Sequence, residues 1–314
     1  MSFFLQQVVN ALQLGSVYAL IAVGYSMVYG VLMLFNFAHG DVFMVGAYLS
    51  FFISTGLLAL GTMGVIALPS GVMLGLVLVL TLLIAMFLNS FVGMAVERIG
   101  YRPLREAPRA SAAITGLMIG IILETGNLIL LGAQRRKFSD DLISIGAQPF
   151  QLAGASITPK TIGIVLVSIL LMLILHLFVR RSRWGMAMRA MAYDYVVVPL
   201  MGVPINTIAL LTFGLGSALA AAGGISYGLA YIVLDPYMGV RFGWKSFVAA
   251  ILGGRGSVLG VGLAGFLLGF IEIFVAAFLP STLRDLIAFS IVLLILTFRP
   301  HGFFGEPYSA QLRL

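Results

Sequence analysis

The feature that most limits what this chain can become is a succession of long apolar runs separated by short polar segments. Phe3 to Val31, Val42 to Leu60, Thr62 to Val96, Ile114 to Leu131, Thr161 to Val179, Ile205 to Val233, Val258 to Phe278 and Leu283 to Phe298 are such runs. About 20 apolar residues wound as a helix cross a hydrocarbon core of about 30 Å. Backbone inside hydrocarbon has to satisfy its own hydrogen bonds, which selects helices for runs of this composition. Charge is scarce to match, with 61% of residues hydrophobic and 9% charged, against about 25% charged in soluble domains. The expectation is one all-α domain over residues 1–314, a polytopic membrane helix bundle with about eight full spans and one or two broken or re-entrant helices. The 37 glycines suggest close helix packing, because small residues let backbones approach. No basic region and cleavage site precede the first run, so it is expected to be kept as a span.

The charges that remain are placed as topology signals. Net charge is +7, but the basic residues sit between apolar runs rather than in a patch, which argues against nucleic-acid binding. One cluster is Glu97 to Arg109, with Arg98, Arg102, Arg105 and Arg109; the other begins Arg180, Arg181, Arg183 and continues to Arg189. Basic loops stay in the cytoplasm. Both loops, the second taken as 180–204, are therefore expected there, and Arg102 and Arg105 are expected to act as retained charges. One span out and one back then make 132–160 extracytoplasmic, with a possible hairpin at Leu142 to Ile145. The tail from Arg299 also wants the cytoplasm, which needs an even number of crossings after the second basic loop. The short run Val240 to Leu252 supplies the missing one if it is half of a broken crossing.

Two polar breaks interrupt the apolar pattern, Asn36-Phe37-Ala38-His39-Gly40-Asp41 and Asp235-Pro236. Gly15-Ser16 with Gly30 before the first resembles Gly216-Ser217 with Gly228 before the second. Such repeats, with interrupted helices beside the substrate route, are common in transporters. The second basic loop has a helix-compatible stretch from Gly185 to Val198, ended by Pro199, which cannot continue a helix. Its Met186, Met188, Met191 and Tyr193 would give a partly apolar surface. A docking surface for a partner and a plain solvated loop are both compatible with that composition.

Chemistry-bearing constellations are few. His39 and Asp41 lie two apart and do not share a helix face, which favours a polar break over a catalytic pair. With no cysteine and no HExxH motif, thiolate sites and that zinc motif are excluded. Glu124 and Glu272 fall inside apolar runs, where an ionisable group is expensive and by default functional. A carboxyl bonded structurally to a neighbouring helix is the alternative. There is no GxxxxGK[ST] motif, so any ATP used would be bound by a partner.

The breaks and loops carry a family resemblance. Asn36-Phe37-Ala38-His39-Gly40 followed by Gly46-Ala47-Tyr48 resembles the N-terminal signature of branched-chain amino-acid permeases in binding-protein-dependent ABC importers. Glu97, Arg98 and Tyr101 to Arg105 resemble that family's first cytoplasmic loop. Gly185, Arg189-Ala190, Asp194 and Leu200-Met201-Gly202 resemble its ATPase-coupling loop. Glu272, Arg284-Asp285 and Arg299-Pro300 with Gly302 and Gly305 resemble its C-terminal pattern. The resemblance covers essentially the whole chain and is nearest to the first of the two permease subunits, the LivH type. It implies a non-catalytic subunit in a bacterial cytoplasmic (inner) membrane, importing leucine, isoleucine and valine. Its partners would be a second permease, two ATPase subunits holding ATP and Mg, and an extracytoplasmic solute-binding protein. It also implies a coupling role for Gly185, Met188, Arg189, Ala190, Met191, Tyr193, Asp194 and Gly202, with Met188, Met191 and Tyr193 facing the ATPase. Asn36, His39, Gly40, Asp41, Asp235 and Pro236 would flank the path. Two departures stand out. The coupling segment continues with Tyr195-Val196-Val197-Val198 where the family is usually charged, and Glu124 replaces an apolar or amide residue, which leaves urea, amides or other amino acids open as substrates. A stand-alone secondary transporter is the reading from another class, with Glu124 and Glu272 as its candidate ion-coupling groups.

Overall fold

The computed structural model describes residues 2–63, 70–105, 107–144, 148–152, 154–194, 197–254 and 256–305. Helices dominate, as backbone in an apolar medium requires. The first part of the chain supplies α1 (Ser2–Leu32), α2 (His39–Thr62), α3 (Ser70–Ala95) and α4 (Arg109–Leu131). α3 does not stop where apolarity stops. It runs on through a π-helical turn, Val96–Tyr101, and a short 3-10 turn, Arg102–Leu104. The central part holds β1 (Arg136–Lys137), α5 (Asp140–Ser144), β2 (Phe150–Leu152), β3 (Ala155–Ile157), α6 (Pro159–Arg181) and α7 (Arg183–Tyr193). The last part repeats the first in outline: α8 (Ile205–Tyr231), β4 (Val233–Leu234), α9 (Met238–Gly253), α10 (Val258–Phe278) and α11 (Arg284–Phe298).

Seven helices among the described residues are long and apolar enough to cross a membrane. α9 and α11 are shorter, at 16 and 15 residues, or about 24 and 22 Å. Seven long helices and these two shorter ones make up the polytopic helix bundle that the apolar runs imply. The hairpin is displaced. Leu142 lies in α5, Ile145 falls outside the described residues, and the paired strands are β2 and β3, with Phe150 opposite Ile157. The sequence alternation at Leu142 reads as half-buried strand, but a five-residue helix buries Leu142 just as well.

Packing follows a reciprocal scheme. α1 lies along α10 as α8 lies along α3, α9 touches α1 as α2 touches α8, and α1 and α8 meet each other at the centre. That is the pattern expected of two related four-helix halves, α1–α4 and α8–α11. Glycine makes the central crossings possible: a Cβ at Gly24 or Gly216 would run into the other's helix, and one at Gly269 would strike the backbone of Gly15. Asn89 of α3 ties the layers, its amide donating to the Val42 carbonyl at 3.2 Å and the Ser217 carbonyl at 2.7 Å.

The ends of the bundle sort as the basic loops require. The end of α1, the Glu97–Arg105 segment, the start of α4 and Met191 of α7 line one cavity of about 240 Å³. Phe303 and Phe304 bond to the last carbonyls of α9 at the same end. At the opposite end β1 pairs with β4, and Gln6 of α1 accepts from the Ser156 amide at 2.8 Å. The described parts of both basic loops and the start of the tail therefore share one end, and the described parts of 132–160 lie at the other. α9 carries the chain back between the two, which makes four helical passes after the second loop.

Candidate functional site

The two sequence breaks come together inside the bundle. After α1 ends at Leu32 the chain folds back, and α2 starts beside Gly24 and Tyr25: the Gly40 amide donates to the Tyr25 hydroxyl at 3.2 Å. That point lies about 10 Å inside the end of α1, seven residues at 1.5 Å each. α9 starts next to it. A Cβ at Gly40 would collide with the Gly239 carbonyl and the Gly243 backbone, so the first turns of α2 and α9 cross in contact. Their glycines are required by that approach rather than by backbone angle. Both helices direct their positive N-terminal ends inward at the crossing.

The residues of the breaks divide into framework and cavity. Asn36 is buried and accepts from the Tyr101 hydroxyl at 3.1 Å, tying the first break to the π-helical end of α3. His39 is buried, stacked edge-on against Tyr25 and turned toward Gly24 of α1. Asp41 points the other way, between Gly120 of α4 and Gly239 of α9, where a Cβ on either glycine would strike its carboxylate. The two side chains thus point to different faces, His39 toward α1 and Asp41 toward α4 and α9. Asp235 organises the second break, its Oδ1 accepting from the Tyr237 amide at 2.9 Å and its Oδ2 pairing with Arg135 at 3.3 Å. Pro236 is buried beside it.

Next to the crossing lies a cavity of about 150 Å³. Asp41, Glu124, Gly40 and Gly239 line it together with Leu117, Ile121, Val240 and Trp244. Asp41 is only 6% exposed, and its Oδ1 has no hydrogen-bond partner among the described residues. Glu124, one helical turn beyond Gly120 on α4, is the second carboxylate of that cavity. No cation pairs with either among the described residues.

Glu272 occupies the opposite kind of environment. It is 2% exposed, and its Oε1 receives Lys245 Nζ of α9 at 2.9 Å and Arg284 of α11 at 3.3 Å. Its Oε2 accepts from the Tyr18 hydroxyl of α1 at 2.6 Å. Lys245 also reaches Asp285 at 2.7 Å. Four helices are bonded through this one carboxylate. This geometry fits the structural reading of Glu272, a carboxyl bonded to neighbouring helices, and gives it charged partners. Lys245 was missed because the short apolar piece containing it offered no visible partner.

At the basic end, Glu97 is 1% exposed and takes both Arg102, at 2.9 Å, and Arg105. Arg105 also bonds Asn206 at the start of α8. These arginines therefore do more than stay on one side of the membrane. They neutralise a carboxylate that the π-helical turn buries.

The second basic loop forms two short pieces. Ser182 caps α7 by accepting from the Gly185 amide at 2.9 Å, and Gly185 lies so close to the last carbonyls of α6 that a Cβ would not fit. Arg189 donates to the Val179 carbonyl, a cation at a helix C-terminus. α7 ends at Tyr193, earlier than Pro199 implied, because Asp194 turns extended and accepts from the Val197 amide at 3.0 Å. Tyr195 and Val196 lie outside the described residues. Pro199 sits inside a second turn, Val198–Met201, and Gly202 then adopts φ +77°, the left-handed conformation that glycine reaches without strain.

One expectation for this loop is reversed. Met188 and Met191 are fully buried against the chain's own helices, at 0% and 1% exposure; Met191 lines the cavity with the end of α1 and Glu97. Ala190 is half-buried. The face turned outward instead carries Trp184, Met186 and Tyr193, and Leu200 and Met201 extend it at 84% and 78% exposure. The composition of this stretch signalled a partly apolar surface but not which body it packs on.

Comparison with known proteins agrees with this layout. Residues 7–297 match the family described as "Branched-chain amino acid transport system / permease component". The high-affinity branched-chain amino acid transport system permease protein BraD of Pseudomonas aeruginosa is 39% identical, covering 97% of this chain and 96% of its own. The permease protein LivH of Escherichia coli K12, and that of Salmonella typhimurium LT2, are each 37% identical with the same coverage. No solved structure matches. An unbroken match from the first helix to the last, over a bundle of membrane-length helices with paired breaks, means that the chain belongs to the permease-component family of branched-chain amino acid transport systems.

Proposed function

We propose that this chain is the membrane-spanning permease subunit of an ATP-driven, binding-protein-dependent importer of leucine, isoleucine and valine. The observation that carries the reading is the meeting of two helix starts, α2 and α9, inside the bundle beside a small cavity with carboxylate and apolar walls. Interrupted helices at mid-membrane depth are where transporters hold substrate, and apolar walls suit an alkyl side chain better than urea or a short amide. Glu272 is saturated by fixed cations, which removes one of the two ion-coupling groups a secondary transporter would need.

The rest of the machine lies on partners. A second permease completes the translocation unit across the exposed flank of α4 and α9. The basic end faces the cytoplasm of a bacterial inner membrane, and 132–160 faces the solute-binding protein. Two ATPase subunits hold ATP and Mg and engage α7 and the turn after it. Closure of the ATPases pulls on Trp184, Tyr193, Leu200 and Met201, and the buried Met188 and Met191 transmit the movement to α1 and the basic cavity. In this arrangement Arg189, Asp194, Gly185 and Gly202 shape the coupling element, and the outward side chains make the contact. Membrane lipid covers the remaining apolar surface.

The reading is tested with the complete transporter reconstituted in proteoliposomes. Leucine uptake should require ATP and the loaded binding protein. Leu200→Asp should release the ATPase subunits on detergent purification and abolish uptake, because a charge placed in an apolar contact is left unpaired. The bundle should melt as before, since Leu200 touches little of it. Retention of both ATPases and of full coupled turnover in Leu200→Asp would remove the coupling role from this face.

A further inference from the structure

Among the described residues, the cavity at the helix crossing holds two carboxylates and no cation, and that imbalance has a chemical consequence. Asp41 is more than nine-tenths buried, its Oδ1 is unpartnered, and it lines a space of about 150 Å³. A buried carboxylate oxygen without a donor costs stability unless something supplies one. Balancing the dipole of α2 is one role open to a first-turn aspartate, but it asks only for the charge near the helix end. It does not ask for a second carboxylate across the cavity, nor for glycines at 120 and 239 that leave the Asp41 oxygens clear. Glu124 stands on the same face of α4 as Gly120, one turn further along, and borders the same space.

We propose that this cavity is the subsite that takes the α-ammonium group of a small apolar amino acid in transit, held between Asp41 and Glu124. The inference deepens the importer reading and rests on it. An ammonium group has three N–H donors and one positive charge, which supplies what the orphaned oxygen lacks. The remaining walls, Leu117, Ile121, Val240 and Trp244, accept an alkyl side chain. A space of about 150 Å³ takes an apolar group the size of benzene, larger than the branched side chains concerned. The N-terminal end of α9, entering at Gly239 and Val240, offers its positive dipole to the substrate carboxylate. Two acids, one helix end and an apolar wall together select a zwitterion over an amine, a carboxylic acid or a neutral amide.

The test uses the whole importer in proteoliposomes with leucine-loaded binding protein. Glu124→Gln removes one charge at a half-exposed position and should leave assembly, melting and loaded-protein stimulation of ATP hydrolysis unchanged. Leucine uptake should fall about tenfold, the loss expected of one charge-assisted hydrogen bond, so the leucine delivered per ATP drops by the same factor. Asp41→Asn should fall in the same direction. Wild-type uptake in Glu124→Gln overturns the proposal, and so does a parallel loss of stimulated ATP hydrolysis, which would make Glu124 part of the conformational switch. If instead the unaltered complex imports no branched-chain amino acid, the importer reading itself fails, a result separate from either.

Discussion

Glu272 and the Asp41–Glu124 pair are both acids inside a membrane bundle, and they live by opposite rules. Around Glu272 every oxygen is met: a lysine, an arginine and a tyrosine from three other helices converge on it. Around Asp41 stand two glycines and a second acid, and one buried oxygen has no donor among the described residues. Fixed cations turn a buried acid into a clasp between helices. Their absence leaves an electrostatic demand that a passing solute is able to meet. The distinction is one of company, since both sites are lined by the same kinds of apolar helix.

The comparison breaks most visibly at Glu272. Glu272→Gln leaves Lys245 and Arg284 without their shared partner, and loss of one member of a buried ion pair costs about 3–5 kcal/mol. Thermal melting of the detergent-purified complex should drop sharply, and Lys245→Met in the same chain should restore much of it. A single variant that melts like the parent would mean the cluster clasps nothing.

Gly120→Ala and Gly239→Ala sharpen the comparison from the other side. Each adds a methyl where the Asp41 carboxylate lies, an overpacking worth about 1–3 kcal/mol. Uptake should fall further than stability, because the carboxylate is displaced from the cavity. Leucine uptake in proportion to the melting change would argue that Asp41 is only packing.

The smallest effect on folding is expected at Glu124. Glu124→Gln should move stability by no more than about 0.5 kcal/mol, as for a surface change away from structural features, in contrast to the same chemical change at Glu272. Equal destabilisation of the two, read in the same melting experiment, would erase the difference between the sites.

Much of this protein was legible in its residues. Apolar runs of spanning length fixed the helices and the fold class, because hydrocarbon leaves the backbone few alternatives. The basic clusters told which ends lie together, and the two polar breaks, with glycine-serine pairs before each, marked both interruptions. These are signals carried by a residue and its near neighbours along the chain.

What the sequence left open needed contacts between residues far apart. Glu272 and Lys245 are partners only because α9 and α10 pack together, and Glu124 joins Asp41 only because α4 crosses α2 at Gly120. Composition gave α7 a partly apolar surface but not its direction: Met188 and Met191 turned inward and Leu200 outward because the tight turn at Gly185 folds α7 back under α1. Local pattern decides which segments become helices, since hydrogen bonding in a helix is between near neighbours. Which acid is paired and which is left facing a cavity depends on the packing of helices, a property of the tertiary structure alone.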